Sequence, residues 1–269
     1  MGIKERGVAH LLFEEERKRK IVDYIQSHGR ALVPELADRF QVSESTVRRD
    51  LRELEEAKQL RRTHGGAVLL QQDSVEPSFV EKEDRYRLQK EGIAQKALSF
   101  IEEGDTIFLD SGTTTYFLAK HLRKFQKLTV VTNSMMVAQE LSQVKHLDLL
   151  LTGGTLRYET QAMVGPVADR AIDSIRVDKL FLAINGIDPD GGLTTPNLIE
   201  AETKRRMMQS AKQVILITDH SKFGKISFAK VAGLSDIHHC IVDDAISEQA
   251  AKAMEAEGIK VTVVRRLEQ

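Results

Sequence analysis

The sequence predicts a small helical unit near the N-terminus, followed by a larger α/β domain built on a mainly parallel sheet. Two observations lead there. From residue 91 onward, short runs rich in Leu, Ile and Val alternate with amphipathic helical stretches, as in a sheet covered on both faces by helices. Before that, residues 14–70 hold three short helical periods and one pair of strand-like runs around Gly65-Gly66, a different plan in a much smaller span.

Composition narrows the class. The 269 residues are 41% hydrophobic and 29% charged, which suits a globular chain with a sizeable core divided into one large or two smaller domains. Cys240 is the only cysteine, so no disulfide within the chain and no cysteine zinc cluster is possible, and a reducing, cytoplasmic setting is expected. No apolar run approaches the length of a membrane span, and the first twenty residues turn charged too soon for a signal peptide. The formal net charge of −1 means that any nucleic-acid partner must be met by a local patch.

The elements follow in order. Residues 1–13 read as an N-terminal extension. EEERKRKIVDYIQSH carries Ile21, Val22 and Ile25 on one face and stops before Gly29. A second helix begins at VPEL, where Pro34 suits a first turn, and turns Leu36, Ala37 and Phe40 inward. After the break at Gln41-Val42, Ser43 occupies the N-cap position of a third helix whose stripe is Val47, Leu51 and Leu54. Two helices joined by so tight a turn match a helix-turn-helix, in which the second lies in the DNA major groove. Ser45, Thr46, Arg48 and Arg49 are then expected to face the bases, with Thr46 between the two faces and Arg52 nearer the phosphates. Leu60–Thr63 and Ala67–Leu69 read as a hairpin, a wing on which Arg61, Arg62 and His64 would contact phosphates. The competing reading is a helical protein-contact module with solvated arginines.

Residues 71–90 are polar and suit a linker, leaving 91–269 as the second domain. Its apolar runs are TIFLD, LTVVTN, LDLLLTGG, KLFLAING, QVILITD, HCIVDD and VTVV. Ligands of parallel sheets bind beyond the carboxyl ends of the strands, so the residues after each run carry the information. They are Asp110-Ser111-Gly112-Thr113-Thr114-Thr115, Thr132-Asn133-Ser134, Thr152-Gly153-Gly154-Thr155, Asn185-Gly186 with Asp188, and Asp219 leading to Lys222. The first group opens a helix, where free backbone donors and a close-approach glycine suit a phosphate. Together the hydroxyls, amides, carboxylates and lysine suit a small phosphorylated, polyhydroxylated molecule. His238 and His239 read as strand-edge residues, and no metal or cofactor is expected.

STVRRDL followed by RRTHGGA resembles the N-terminal domain of the DeoR family of bacterial transcriptional regulators. DSGTT, TNS, LTGG, the Asn-Gly-Ile-Asp stretch with GLTTP, EAETK and DHSKFG resemble that family's effector domain, which is similar in fold to ribose-5-phosphate isomerase. The resemblance implies a repressor of a carbohydrate uptake or catabolism operon, working as a homodimer or homotetramer on double-stranded operator DNA and controlled by a phosphorylated sugar. It also implies that Asp110 and Ser111 to Thr115 hold the ligand and its phosphate. Thr132, Asn133, Gly153, Gly154, Asp188, Glu200 and Lys222 would complete the pocket. A sugar-phosphate isomerase or deaminase with a DNA-binding appendage is the alternative, since Asp188, Glu200 and Lys222 hold suitable acid, base and cation groups.

Overall fold

A computed structural model describes residues 14–28, 30–57, 59–63, 65–69 and 76–265. They form two compact units, divided between residues 75 and 76.

In the first unit, α1 (Glu14–His28), α2 (Val33–Phe40) and α3 (Glu44–Glu56) accompany β1 (Arg30–Leu32), β2 (Leu60–Thr63) and β3 (Gly66–Leu69). Each apolar stripe expected from the periodicity is inward: Ile21, Ile25, Leu36, Val47 and Leu51 are all buried in one cluster, with Leu54 and Leu60. Gln41, in the left-handed region at φ 53°, makes the turn between α2 and α3. Ser43 caps α3, its Oγ accepting from the Thr46 N–H at 3.2 Å, a contact of about 1 kcal/mol. The three strands pair antiparallel in the order β1-β3-β2. β1 was not expected. Its three residues carry no period, and it exists because β3 offers a second edge. Gly66 is fixed by that pairing, since a Cβ there would sit 2.0 Å from the Ala31 carbonyl oxygen.

The second unit begins with α4 (Phe79–Asp84) and α5 (Arg87–Ala97), so helix already occupies most of the span expected as linker beyond residue 78. There follow β4 (Thr106–Leu109), α6 (Thr113–Lys120), β5 (Thr129–Thr132), α7 (Met135–Leu141), β6 (Asp148–Leu151), β7 (Thr155–Arg157), β8 (Ala162–Val164) and α8 (Pro166–Asp173). Then come β9 (Val177–Leu182), β10 (Gly186–Asp188), β11 (Gly192–Thr195), α9 (Leu198–Ser210), β12 (Ala211–Thr218), β13 (Ala229–Ala232), β14 (His239–Asp243), α10 (Glu248–Ala256) and β15 (Lys260–Val264).

The seven expected apolar runs are the seven strands of one sheet, ordered β15-β14-β12-β9-β4-β5-β6 and parallel throughout. One face is covered by a cluster that includes Ile93, Phe117, Leu118, Val137 and Leu141, the other by one that includes Ile172, Ala201, Met207 and Met254. The chain runs outward from β4 through β5 to β6, then returns to the opposite side of β4 for β9 and continues to β15. The order therefore reverses between β4 and β9, and the crevice of such a sheet opens beyond the carboxyl ends of that strand pair. A hairpin of β7 and β8 and a small antiparallel sheet, β10-β11-β13, are added to this frame.

Candidate functional site

In the first unit, the outward side of α3 carries the expected polar set. Ser45, Arg48, Arg49 and Arg52 are exposed and Thr46 is half-buried. The three hydroxyls at the helix start are linked, Ser43 Oγ lying 2.8 Å from both Ser45 Oγ and Thr46 Oγ1. Arg48 pairs with Glu44 at 2.8 Å, an exposed contact that contributes little stability. Arg62, on the wing, is held to α3 by Glu55, whose carboxylate accepts from the Arg62 N–H at 2.8 Å and lies 3.2 Å from its Nε. His64 and the side chain of Arg61 lie outside the described residues.

Sequence reasoning missed the group that orients α3. Asp50 is fully buried and accepts from Arg17 Nε at 2.6 Å and Nη2 at 3.1 Å. This two-pronged ion pair ties α1 to the back of α3 and raises the Arg17 pKa above its ordinary value, the Asp50 hydrogen bond outweighing burial. In the string STVRRDL, an aspartate directly after two outward arginines looks solvated. Only the helical wheel, placing Asp50 beside Val47, Leu51 and Leu54, could have flagged it.

In the second unit the reversal between β4 and β9 centres on Asp110. It is fully buried. Its Oδ1 accepts from the Ser111 N–H at 2.7 Å, and its Oδ2 accepts from the Ala183 N–H at 3.0 Å and from Lys204 Nζ at 2.5 Å. One carboxylate thus joins the ends of both central strands to α9. Gly112 allows the loop to lie this close, since a Cβ there would meet the Ala183 Cβ at 2.5 Å. Thr115 Oγ1 donates back to the Asp110 carbonyl at 2.6 Å and so holds the loop in shape. Thr113 and Thr114 are buried at the start of α6.

β5 adds two of the expected residues. Thr132 Oγ1 donates to the Leu109 carbonyl at 2.7 Å and accepts from the Ser134 N–H at 3.0 Å, so its role is to brace adjoining strand ends. Asn133 Nδ2 donates to the Met163 carbonyl at 3.1 Å, which leaves its Oδ1 a buried acceptor without a partner among the described residues. Such an orphan calls for a donor, as a ligand hydroxyl or a water would supply. Gly153 and Gly154 both have positive φ, and a Cβ on Gly154 would meet the Val164 carbonyl oxygen at 2.8 Å.

Other expected residues sit apart. Asp188 lies in the small antiparallel sheet and closes its hairpin turn, accepting from the Asp190 and Gly191 N–H groups at 3.0 and 2.8 Å. Lys222, in a single turn after β12, has its pKa lowered by burial against the opposing pull of Asp219. Neither shares a hydrogen bond with the Asp110 cluster among the described residues.

Glu200 does belong to that cluster, along with four residues that sequence reasoning did not assign: Lys204, Arg157, Glu76 and Lys82. Its Oε1 is 3.6 Å from Lys204 Nζ, and its Oε2 accepts from Arg157 Nη1. Arg157 Nη2 in turn donates to Glu76 at 2.8 Å, and Glu76 is also held by Lys82 at 2.8 Å. Burial pushes the Glu200 pKa above its ordinary value, with Lys204 and Arg157 opposing. Burial also acts against the charge on Lys204, but Asp110 and Glu200 overcome it and leave its pKa raised. Glu76 ends below its ordinary value because Lys82 and Arg157 outweigh burial. The spacing of Glu200 and Lys204 on one helix could have paired them from sequence. Nothing local links Glu76 to Arg157, 81 positions away.

A helix-turn-helix with an exposed basic face, followed by a parallel α/β domain with a buried cluster of charged side chains at its strand reversal, is the architecture of a DNA-binding regulator that carries a sensor domain. Residues 17–73 match the DeoR-like helix-turn-helix domain and residues 86–244 the DeoR C terminal sensor domain. The chain belongs to the DeoR family of transcriptional regulators, which are not enzymes. It is 39% identical over 249 residues to the uncharacterized HTH-type transcriptional regulator YulB of Bacillus subtilis, covering 93% of this chain and 96% of that protein. HTH-type transcriptional regulator GlpR of Haloferax volcanii is 39% identical over 91% of this chain and 96% of its own. The HTH-type transcriptional repressor GlcR of Bacillus subtilis is 34% identical over 95% and 98% respectively. Ribose 5-phosphate isomerase A of Methanocaldococcus jannaschii gives a partial structural likeness, with 15% identity and a TM-score of 0.37 over 51% of this chain and 54% of its own. Among the described residues no helix is long and apolar enough to cross a membrane.

Proposed function

We propose that the protein represses a carbohydrate uptake or catabolism operon, and that a phosphorylated sugar in the crevice of the second domain controls its affinity for operator DNA. The observation that carries this is the make-up of the β4–β9 crevice. Two buried threonines, Thr113 and Thr114, stand at the start of α6, where backbone donors favour an anion. The orphan Asn133 acceptor nearby in the chain order of the sheet suits a sugar hydroxyl. Phosphate and polyol recognition are therefore offered by adjacent strand ends. The names of the relatives agree with repression: one is a putative aga operon transcriptional repressor, another the repressor GlcR.

Regulation then follows from linkage. A ligand that favours one arrangement of the protein over another lowers DNA affinity by the same preference. A homodimer or homotetramer would engage spaced half-sites through paired recognition helices. A thermal-shift screen of the whole protein against phosphorylated sugars tests the sensor assignment, because a ligand bound only by the folded state raises Tm. A hit should lose its effect in Thr113→Val/Thr114→Val. A hit of undiminished effect in that variant would move the ligand elsewhere.

A further inference from the structure

From the strand reversal outward, charge alternates without a gap: Asp110, Lys204, Glu200, Arg157, Glu76, Lys82. Three carboxylates face three cations, so the row is neutral as it stands, with the more exposed Glu159 at its rim 3.8 Å from Arg157. The row is buried at Asp110, Lys204 and Glu200 and half-buried at Arg157, Glu76 and Lys82. A phosphate entering it is best matched by taking the place of a carboxylate, because two further negative charges would otherwise stay unpaired where solvation is poor.

The three carboxylates are not equally replaceable. Asp110 is fixed by two backbone N–H groups and Lys204, at the junction of the two central strands. Glu200 is fully inside the first turn of α9, with Thr160 as a further partner at 3.4 Å. Glu76 stands before α4, on neither strand nor helix, and among the described residues only side chains hold its carboxylate: Arg157 and Lys82 at 2.8 Å, and Asn185 at 3.4 Å. It is also the first residue of the second unit.

We propose that Glu76 is a displaceable latch. The ligand's anionic group takes over Arg157 Nη2, Glu76 lets go, and the segment that ties the incoming chain to the sensor domain comes loose. Arg157 is then an anion-contacting residue of the site, and Glu76 a built-in competitor whose release carries the signal toward the DNA-binding unit. This rests on the crevice being an anion site, as proposed above.

The test uses the full-length protein and inorganic phosphate, read by calorimetry and by hydrogen exchange over residues 76–84. Saturating phosphate should speed exchange across 76–84 in the wild type. Glu76→Gln should show that faster exchange with no phosphate present, and should bind phosphate about tenfold tighter, the scale of one lost charge-assisted competitor. Lys82→Gln, which weakens the latch without touching Arg157, should shift exchange in the same direction. If phosphate binds the wild type with unchanged exchange over 76–84, and Glu76→Gln binds it no tighter, the latch is wrong and the anion site stands. If phosphate binds none of the three proteins, the anion site fails and the latch with it.

Discussion

Replacing Arg17 by Met tests whether one buried ion pair governs the DNA-reading helix. The substitution keeps most of the apolar stem and removes the guanidinium, leaving the fully buried Asp50 carboxylate without its two-pronged partner. Breaking such a pair from one side costs about 3–5 kcal/mol. At roughly 0.05–0.15 kcal/mol per residue, a unit of about 55 residues holds only about 3–8 kcal/mol in all. The perturbation is therefore comparable to the whole stability of the winged helix. Hydrogen exchange of the full-length variant should show α3 amides exchanging about a hundred- to thousandfold faster, at about 1.4 kcal/mol per decade, while peptides of β4 and β9 stay protected. Affinity for a mixed-sequence duplex at low salt should fall in parallel. Arg17→Met/Asp50→Leu removes both charges, and most of the protection should return, since an apolar pair of similar volume often matches a buried ion pair. Unchanged exchange of α3 in the single variant, or a double variant as loose as the single, would refute this account of how α3 is held.

Arg48→Ala and Arg49→Ala should each weaken operator binding by about 1–3 kcal/mol if the arginine meets a base edge. If it meets a phosphate, the salt slope of binding should instead drop by about 0.9; titrating binding against salt separates these, and no effect in either variant removes α3 from the groove. Lys204→Met should strand the buried Asp110 carboxylate and lower the melting temperature of the second unit by roughly 6–20 °C, read by calorimetry. The Glu76 clasp gives a pH signature. Its pKa lies below the ordinary 4.5, so its contribution to stability is complete above that value and is lost as pH falls through the lowered one. The difference in Tm between wild type and Glu76→Gln, measured without phosphate, should therefore be full near neutrality and vanish in acid. A difference that persists there would show that the carboxylate charge is not what holds the clasp.

Periodicity made most of the fold legible. The stripe Val47, Leu51, Leu54, the cap at Ser43 and the seven Leu/Ile/Val runs each state a local preference that the tertiary structure agrees with. What stayed hidden depends on partners distant in sequence. β1 is three residues that become a strand only because β3 lies alongside, and β10, β11 and β13 pair across stretches with no apolar run long enough to read. Of the residues expected to hold the ligand, the strand-end rule picked out Asp110, Thr113 and Thr114 after β4 and Asn133 after β5 but could not assign their tasks. Thr115 and Thr132 spend their hydroxyls on backbone carbonyls, and Asp188 spends its carboxylate on a turn. Residue type tells what a side chain can bond, not which bonds the fold has already taken.

That distinction bears on why the crevice holds so much charge. A row of buried ions is no efficient way to stabilise a domain, because removing carboxylates and ammonium groups from water offsets most of their attraction, and a well-packed apolar filling is often at least as stable. Its physical advantage lies elsewhere. Hydrogen-bonded ions in a poorly solvated site interact strongly, yet each bond can be traded for an equivalent one with little net change, provided that charge stays balanced. An apolar filling could not exchange Glu76 for an incoming anion, and an exposed pair would not resist the exchange enough for it to matter. The gradient along the row, from Asp110 fixed by backbone to Glu76 held by side chains alone, sets where the trade is easiest. It falls at the residue through which the chain from the DNA-binding unit enters the sensor domain.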